Sequence, residues 1–260
     1  MTDVTTVAAG EQAERHRVTR IRRETRRRAV TVTASERLSP SMLRLRFSSD
    51  EFADFDSAAP DDHIKLFVPD GAGATAMRDY TPRAFDAAGG TLVIDFALHE
   101  AGPATAWALD AKPGDRIQIG GPRGSTVVPD DYDWYLLIGD ETALPAIARR
   151  LEELRPGVPV TVLAAIDTPA DALPLADHVA LTVHWSDRIG EPDDAARLTA
   201  LLDTLALPKG EGFVWIAAEA TVARALRAHV LDVMGHPRAW VKASGYWTAG
   251  AAGAHEKIGD

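Results

Sequence analysis

Between residues 29 and 128 the apolar positions come in short, often alternating runs, at 29–34, 42–48, 63–68, 79–82, 92–99 and 116–119. Turn formers separate them: Ser39-Pro40, Pro69-Asp70-Gly71, Gly89-Gly90 and Lys112-Pro113-Gly114-Asp115. Leu92, Ile94, Phe96 and Leu98 recur with a period of two, which sets them on one face of a strand. Short strands at this spacing predict a small antiparallel β-barrel. Beyond Pro129 the rhythm changes. Strands are predicted over 135–139, 158–166, 178–185, 213–218 and 240–243, with helices over 144–154, 195–205 and 221–234. Strands alternating with helices predict a parallel sheet covered on both faces. The expected organisation is a basic N-terminal tail over 1–28, a β-barrel domain over 29–129 and an α/β domain over 130–260.

Composition narrows the chemistry. The chain has 260 residues, 46% hydrophobic and 25% charged, so two ordinary domains with real cores are affordable. It has no cysteine, which excludes disulfides, cysteine-ligated iron–sulfur clusters, thiolate nucleophiles and thioether-attached haem. Its eight histidines are scattered without metal-ligand spacing, so no protein-held metal is expected. Redox chemistry in such a chain runs on a bound organic cofactor. No apolar run reaches membrane-spanning length and no secretory signal is visible, so a cytoplasmic protein without membrane insertion is expected.

The net charge of −10 is uneven, because residues 1–28 hold eight arginines against four acids. An acidic body disfavours nucleic acid as a partner, and no aromatic residue interleaves those arginines. The expectation is a solvated tail rather than a nucleic-acid or anionic-surface tether.

Four constellations carry chemistry. In Arg78-Asp79-Tyr80-Thr81-Pro82-Arg83, Arg78 and Tyr80 project to the same side of an extended strand. A guanidinium there can pair with phosphate while the phenol stacks on a flat heterocycle. Pro82 biases Thr81 toward an extended conformation, with its hydroxyl near the strand end. A flavin requires these features, although an ordinary cross-strand Arg–Tyr pair has the same composition. In His99-Glu100-Ala101-Gly102-Pro103-Ala104-Thr105-Ala106-Trp107-Ala108, a glycine precedes a short helix whose free N–H groups make an anion site, with Thr105 beside them. His99 is either a cofactor contact or structural. Gly120-Gly121-Pro122-Arg123-Gly124-Ser125 is a rigid turn in which Arg123 is a surface charge or a ligand clamp. Gly139-Asp140-Glu141-Thr142-Ala143-Leu144-Pro145-Ala146 joins the first α/β strand to its helix, with Thr142 the expected N-cap and Pro145 in the first turn. It is not GxGxxG, yet it lies where α/β sheets bind ligands. Arg188, after the third α/β strand, reads as a surface salt bridge or an adenosine phosphate contact.

In this order, these pieces resemble the siderophore-interacting protein family, a branch of the ferredoxin–NADP reductase superfamily. The resemblance runs from about residue 29 to 250. It also takes in Asp62-His63-Ile64-Lys65-Leu66, Phe213-Val214-Trp215-Ile216-Ala217-Ala218-Glu219 and Gly245-Tyr246-Trp247. It implies an FAD barrel followed by a nicotinamide-type α/β domain. Arg78, Tyr80, Thr81 and Arg83 would hold the flavin. His99, Gly102, Ala104 and Thr105 would hold the rest of FAD, including its pyrophosphate, and Trp247 would complete the cofactor site. Asp140, Glu141, Thr142 and Glu219 would face the nicotinamide donor, NADH or NADPH. Lys65 and Arg123 would hold an anionic ferric siderophore. The third basic position, after Gly-Tyr-Trp, is Thr248 here, and Ala217-Ala218-Glu219 stands where the family has Ala-Gly-Glu.

The implied activity is reduction of chelated Fe(III) to Fe(II), by a monomer, with NAD(P)H or a ferredoxin-like protein as electron source. No general acid–base pair or covalent nucleophile is expected. The alternatives are another flavin oxidoreductase of the superfamily and a flavin- or siderophore-binding protein without turnover.

Overall fold

The computed structural model describes residues 15–98, 102–190, 193–251 and 256–258. The first half holds β1 (Thr19–Arg22), β2 (Arg27–Ser39), β3 (Met42–Ser48), β4 (Ile64–Pro69), β5 (Thr75–Tyr80), β6 (Ala84–Asp86), β7 (Thr91–Ala97), α1 (Pro103–Asp110), β8 (Arg116–Gly120) and β9 (Gly124–Val127). Seven strands form one antiparallel sheet in the order β5-β4-β8-β2-β3-β7-β6. The alternation read in the sequence is its cause. Leu92, Ile94 and Phe96 face inward with Leu45, Phe47, Ile64, Leu66 and Ile119, all buried, and α1 plugs the core with Ala104 and Ala108. The sheet curls, bringing Tyr80 of β5 against Phe96 of β7 with ring centroids 4.4 Å apart.

The second half holds β10 (Trp134–Gly139), α2 (Leu144–Glu153), β11 (Pro159–Ile166), β12 (Ala180–Asp187), α3 (Asp194–Thr204), β13 (Gly212–Glu219), α4 (Ala220–Ala228), β14 (Val241–Trp247) and β15 (Glu256–Lys257). Its sheet runs β12-β11-β10-β13-β14-β15, parallel except for the antiparallel edge strand β15. The central strands are apolar throughout because both faces are covered. Tyr135, Leu137, Phe213 and Trp215 pack on the α2 side, and Leu136, Ile138, Val214 and Ile216 on the α3 and α4 side. Met42, Ala97 and Val128 of the first half join the α2-side cluster, so one apolar core crosses the junction.

Several boundaries differ from expectation. β2 runs on to Ser39, and β5 ends at Tyr80 rather than spanning 79–82, where Pro82 has no N–H for a ladder. The helix expected over 221–234 is α4 followed by a π turn, His229–Val233.

The largest correction concerns the basic segment. Thr19–Arg22 is a strand paired antiparallel with β9, not part of a solvated tail. Arg15 and His16 bind Asp131, Asp133 and Glu211, and His16 stacks on Tyr132 at 3.7 Å. Arg23 pairs with Asp56, while Arg26 and buried Arg28 pair with Asp54. Much of the charge asymmetry therefore closes on the protein itself. Among the described residues no helix is long and apolar enough to cross a membrane, and no group of three or more His, Asp or Glu residues is placed to hold a metal.

Candidate cofactor and donor site at the domain junction

The Arg78–Tyr80 pair sits on the inner face of the edge strand β5, opposite Leu66 and Ile64 of β4. Tyr80 packs on Phe96, and the Thr105 hydroxyl of α1 stands beside its phenol oxygen; burial pushes that phenol well above its ordinary pKa. Arg78 donates to the Met77 carbonyl at 2.8 Å and forms no ion pair among the described residues. Gly102 precedes α1 with extended backbone, Pro103 occupies the first turn, and no side chain caps the helix. The structure thus brings together an aromatic ring, an unneutralised guanidinium and an uncapped helix N-terminus. These features suit the flat ring and pyrophosphate of FAD. His99 lies outside the described residues.

Thr81 is buried where the two halves meet. Across from it stands Tyr246 of β14, whose phenol burial holds well above its ordinary pKa. Next to it, the Trp247 indole donates to Asp140 Oδ2 at 2.9 Å. The same oxygen accepts the Glu219 backbone N–H at 2.9 Å, while Asp140 Oδ1 accepts the Thr142 N–H at 3.0 Å and the Thr142 hydroxyl at 2.5 Å. Asp140 therefore ties together the carboxyl ends of β10, β13 and β14. These ends flank the point where the strand order reverses, the ligand crevice of open α/β sheets. Gly139 makes the sharp turn possible, since a Cβ there would lie 2.4 Å from Ala143 Cβ and 2.6 Å from the Ala217 carbonyl.

Burial raises the Asp140 carboxyl above its usual range, against the hydrogen bonds from Thr142 and Trp247. Glu141, also buried, is pushed up to about 7 by burial and then by the Asp140 charge, with Arg188 opposing.

Other sequence candidates have different surroundings. Thr142 does not cap α2; Ala143 holds the cap position, and the Thr142 hydroxyl serves Asp140 instead. Glu219 caps α4 through the N–H groups of Thr221 and Val222. Arg83, just before β6, forms a bidentate pair with Glu152 of α2 at 2.5 and 2.7 Å and lies 3.9 Å from Asp95 of β7. Lys65 is on the outer face of β4, opposite Asp79 in register and bonded to it at 2.5 Å. Arg123 is exposed and has no ion pair among the described residues. Ala104 is buried in α1.

Residues the sequence did not single out hold the halves together. Buried Arg149 donates to the Ser57 hydroxyl (2.8 Å), the Ser57 carbonyl (2.5 Å) and the Pro82 carbonyl (3.2 Å). Asp61 accepts from Lys242 at 2.6 Å and from the Trp215 indole at 3.1 Å. Arg149, Ser57, Asp61 and Lys242 are isolated polar residues outside the motifs read in the sequence, and only the docking of the halves makes them partners.

Comparison with known proteins agrees with the two-part fold. The sequence model of the family described as "Siderophore-interacting protein" matches residues 132–250, and that described as "Siderophore-interacting FAD-binding domain" matches 31–76 and 69–126. The chain is 32% identical to the NADPH-dependent ferric-chelate reductase of Escherichia coli (strain K12), over 88% of this chain and 96% of that protein. It is 26% identical to the ferric vibriobactin reductase ViuB of Vibrio cholerae, over 66% of this chain and 70% of that one. A siderophore utilization protein from T. fusca superposes with a TM-score of 0.85 at 32% identity, covering 92% of this chain and 98% of the other. The chain belongs to the siderophore-interacting protein family, with its FAD-binding domain first and its α/β domain second.

Proposed function

We propose that this protein is an FAD-dependent ferric-siderophore reductase that takes electrons from a nicotinamide nucleotide. The observation that carries the reading is convergence at one junction. Thr81 follows Tyr80, which shares β5 with Arg78 and stands beside Thr105 of α1, and Thr81 meets Tyr246 of the second half, next to Trp247 and Asp140. Bound FAD supplies the chemistry, because it takes up two electrons from a hydride donor and passes them on singly. Hard oxygen ligands hold Fe(II) more weakly than Fe(III), so one-electron reduction loosens the chelate.

The chain's own residues bind and orient. The Arg78 guanidinium and the first backbone N–H groups of α1 would neutralise the cofactor phosphates. Tyr80 would stack on the flavin ring, and the Thr81 hydroxyl would offer it a hydrogen bond. Asp140 positions the loops that receive the nicotinamide. Arg123 offers a fixed fork for the oxygens of an anionic chelate. The reading has the protein act as a monomer in the cytoplasm, where reduced nicotinamide is available, with a reduced ferredoxin-like protein as the alternative donor class.

The test is anaerobic. The purified protein should be yellow and should release FAD on denaturation. NADH or NADPH should bleach the flavin, and a ferric siderophore should restore its colour while an Fe(II) trap reports the metal. A colourless protein that does not bind added FAD overturns the reading.

A further inference from the structure

The donor's adenosine end can be argued from the carboxyl edge of the second half's sheet. The order β12-β11-β10-β13-β14 makes β10 the first strand of a doubly wound sheet and β11 its neighbour on the adenosine side. In such sheets an acid at the end of the second strand accepts hydrogen bonds from the ribose hydroxyls, whereas an arginine nearby receives a 2′-phosphate. Here Ile166 ends β11 and Asp167 follows it, half-exposed, with a side-chain exposure of 50%.

Arg188, one residue past β12, is the arginine in question, and its donors are already committed. Nε donates to Asp194 at 3.0 and 3.1 Å. Nη1 donates to Glu141 at 3.1 Å and Asp167 at 2.6 Å, and Nη2 to Glu141 at 2.9 Å and Asp194 at 2.7 Å. A guanidinium has five N–H groups, and all five face carboxylates. The neighbouring cation Arg197 is also engaged, by Asp194 and the Ser186 hydroxyl. Asp187 and Asp193 add negative charge at the same edge, Asp187 ending β12 and Asp193 capping α3.

Resting on the nicotinamide-donor reading above, we propose that this chain selects NADH over NADPH. Asp167 accepts the adenosine ribose hydroxyls, and Arg188 is held by carboxylates so that a 2′-phosphate finds no donor there. A 2′-phosphate brings about two negative charges beside Asp167, where the Arg188 guanidinium is already shared among Glu141, Asp167 and Asp194. Discrimination then arises from repulsion as much as from the fitted hydroxyl contact. The sequence-level alternative, in which Arg188 contacts an adenosine phosphate, requires Arg188 to abandon Glu141, Asp167 and Asp194 together. The name of the Escherichia coli relative says that protein uses NADPH. The choice here is set by the carboxylates of this chain.

The experiment is rapid anaerobic mixing of the FAD-loaded protein with NADH or NADPH, following flavin bleaching over a range of donor concentrations. Wild type should reduce with kcat/KM at least about tenfold higher for NADH, the factor that 1.4 kcal/mol makes. Asp167→Ser should raise KM for NADH and lower it for NADPH, shrinking the ratio. Arg188→Ala removes the cation that faces Asp167 and should widen the ratio rather than narrow it. Adenosine 2′,5′-bisphosphate should compete with NADH more weakly than 5′-AMP in wild type and gain on it in Asp167→Ser. A wild-type ratio at or below one, an unchanged ratio in Asp167→Ser, or a ratio that narrows in Arg188→Ala overturns the proposal. Should dithionite bleach the flavin while neither nucleotide does, the nicotinamide reading has failed and the selectivity falls with it.

Discussion

Arg78 and Tyr80 are two residues apart on an edge strand, and that spacing is enough to aim both at the space beside α1. Tyr80→Ala should weaken FAD binding by on the order of 1 kcal/mol or more. Arg78→Ala should cost about 1.5–3 kcal/mol, as expected for a charge-assisted phosphate contact. Flavin fluorescence released on ultrafiltration of folded variants measures both, and wild-type affinity in the two would place the cofactor elsewhere.

Arg123 and Lys65 look alike in the sequence and differ in the structure. Lys65 is neutralised by Asp79, whereas Arg123 is exposed and forms no ion pair among the described residues. Arg123→Ala should therefore raise KM for an anionic ferric siderophore more than Lys65→Ala does. The flavin content of both should be unchanged, and the difference should fade with salt.

Glu141 gives a pH signature. Its carboxyl holds a proton up to about 7 in the fold, against an ordinary 4.5. Between those values the folded state binds more protons than the unfolded chain. This contribution to stability is full below about pH 4.5 and is lost as pH rises toward about 7. Melting temperatures of wild type and Glu141→Gln should diverge across that window, with the variant showing the smaller fall toward alkaline pH. Parallel curves would show that Glu141 titrates normally.

Among the elements, the β10–α2 connection is the most constrained. Gly139→Ala places a methyl carbon against Ala143 Cβ and the Ala217 carbonyl. Overpacking of this kind costs about 1–3 kcal/mol. It should also shift Asp140, so urea midpoints and donor KM should move together; an unshifted midpoint would mean that the turn relaxes freely.

The strands and helices of the second half were legible because fully buried strands and amphipathic helices carry strong periodic signals. β1 was not legible. Its residues Thr19, Arg20, Ile21 and Arg22 hold one apolar side chain, and its pairing with β9 is decided by the partner strand. The Cβ that Gly124 lacks would sit 2.1 Å from the Ile21 carbonyl, so β1 can approach there only against a glycine. β5 was placed too late because Tyr80 and Thr81 look like strand residues, while the ladder to β4 stops at Tyr80.

At the scale of the molecule the site is a property of two halves docked together. Arg149 reaches from α2 to Ser57 and Pro82, and Lys242 and Trp215 reach Asp61. Arg149→Ala removes several charge-assisted bonds, each worth about 1.5–3 kcal/mol in such settings. It should lower the melting temperature and reduce flavin retention even though Arg149 is not proposed to touch FAD. Retention equal to wild type would show that the first half holds FAD unaided.

The sequence by itself determined the fold class, the division into a β half and an α/β half, and the residue types that suit a flavin. Each of these follows from local periodicity or from a short motif on one element. The tertiary structure alone decided which charges are available. It neutralised Lys65 with Asp79, left Arg123 exposed, committed Arg83 to Glu152 and surrounded Arg188 with Glu141, Asp167 and Asp194. It also converted the arginine-rich segment from an expected tail into a strand and a set of clamps on the acidic body. A charge's availability depends on what lies within a few ångströms of it, and those neighbours come from strands and loops far apart in the chain.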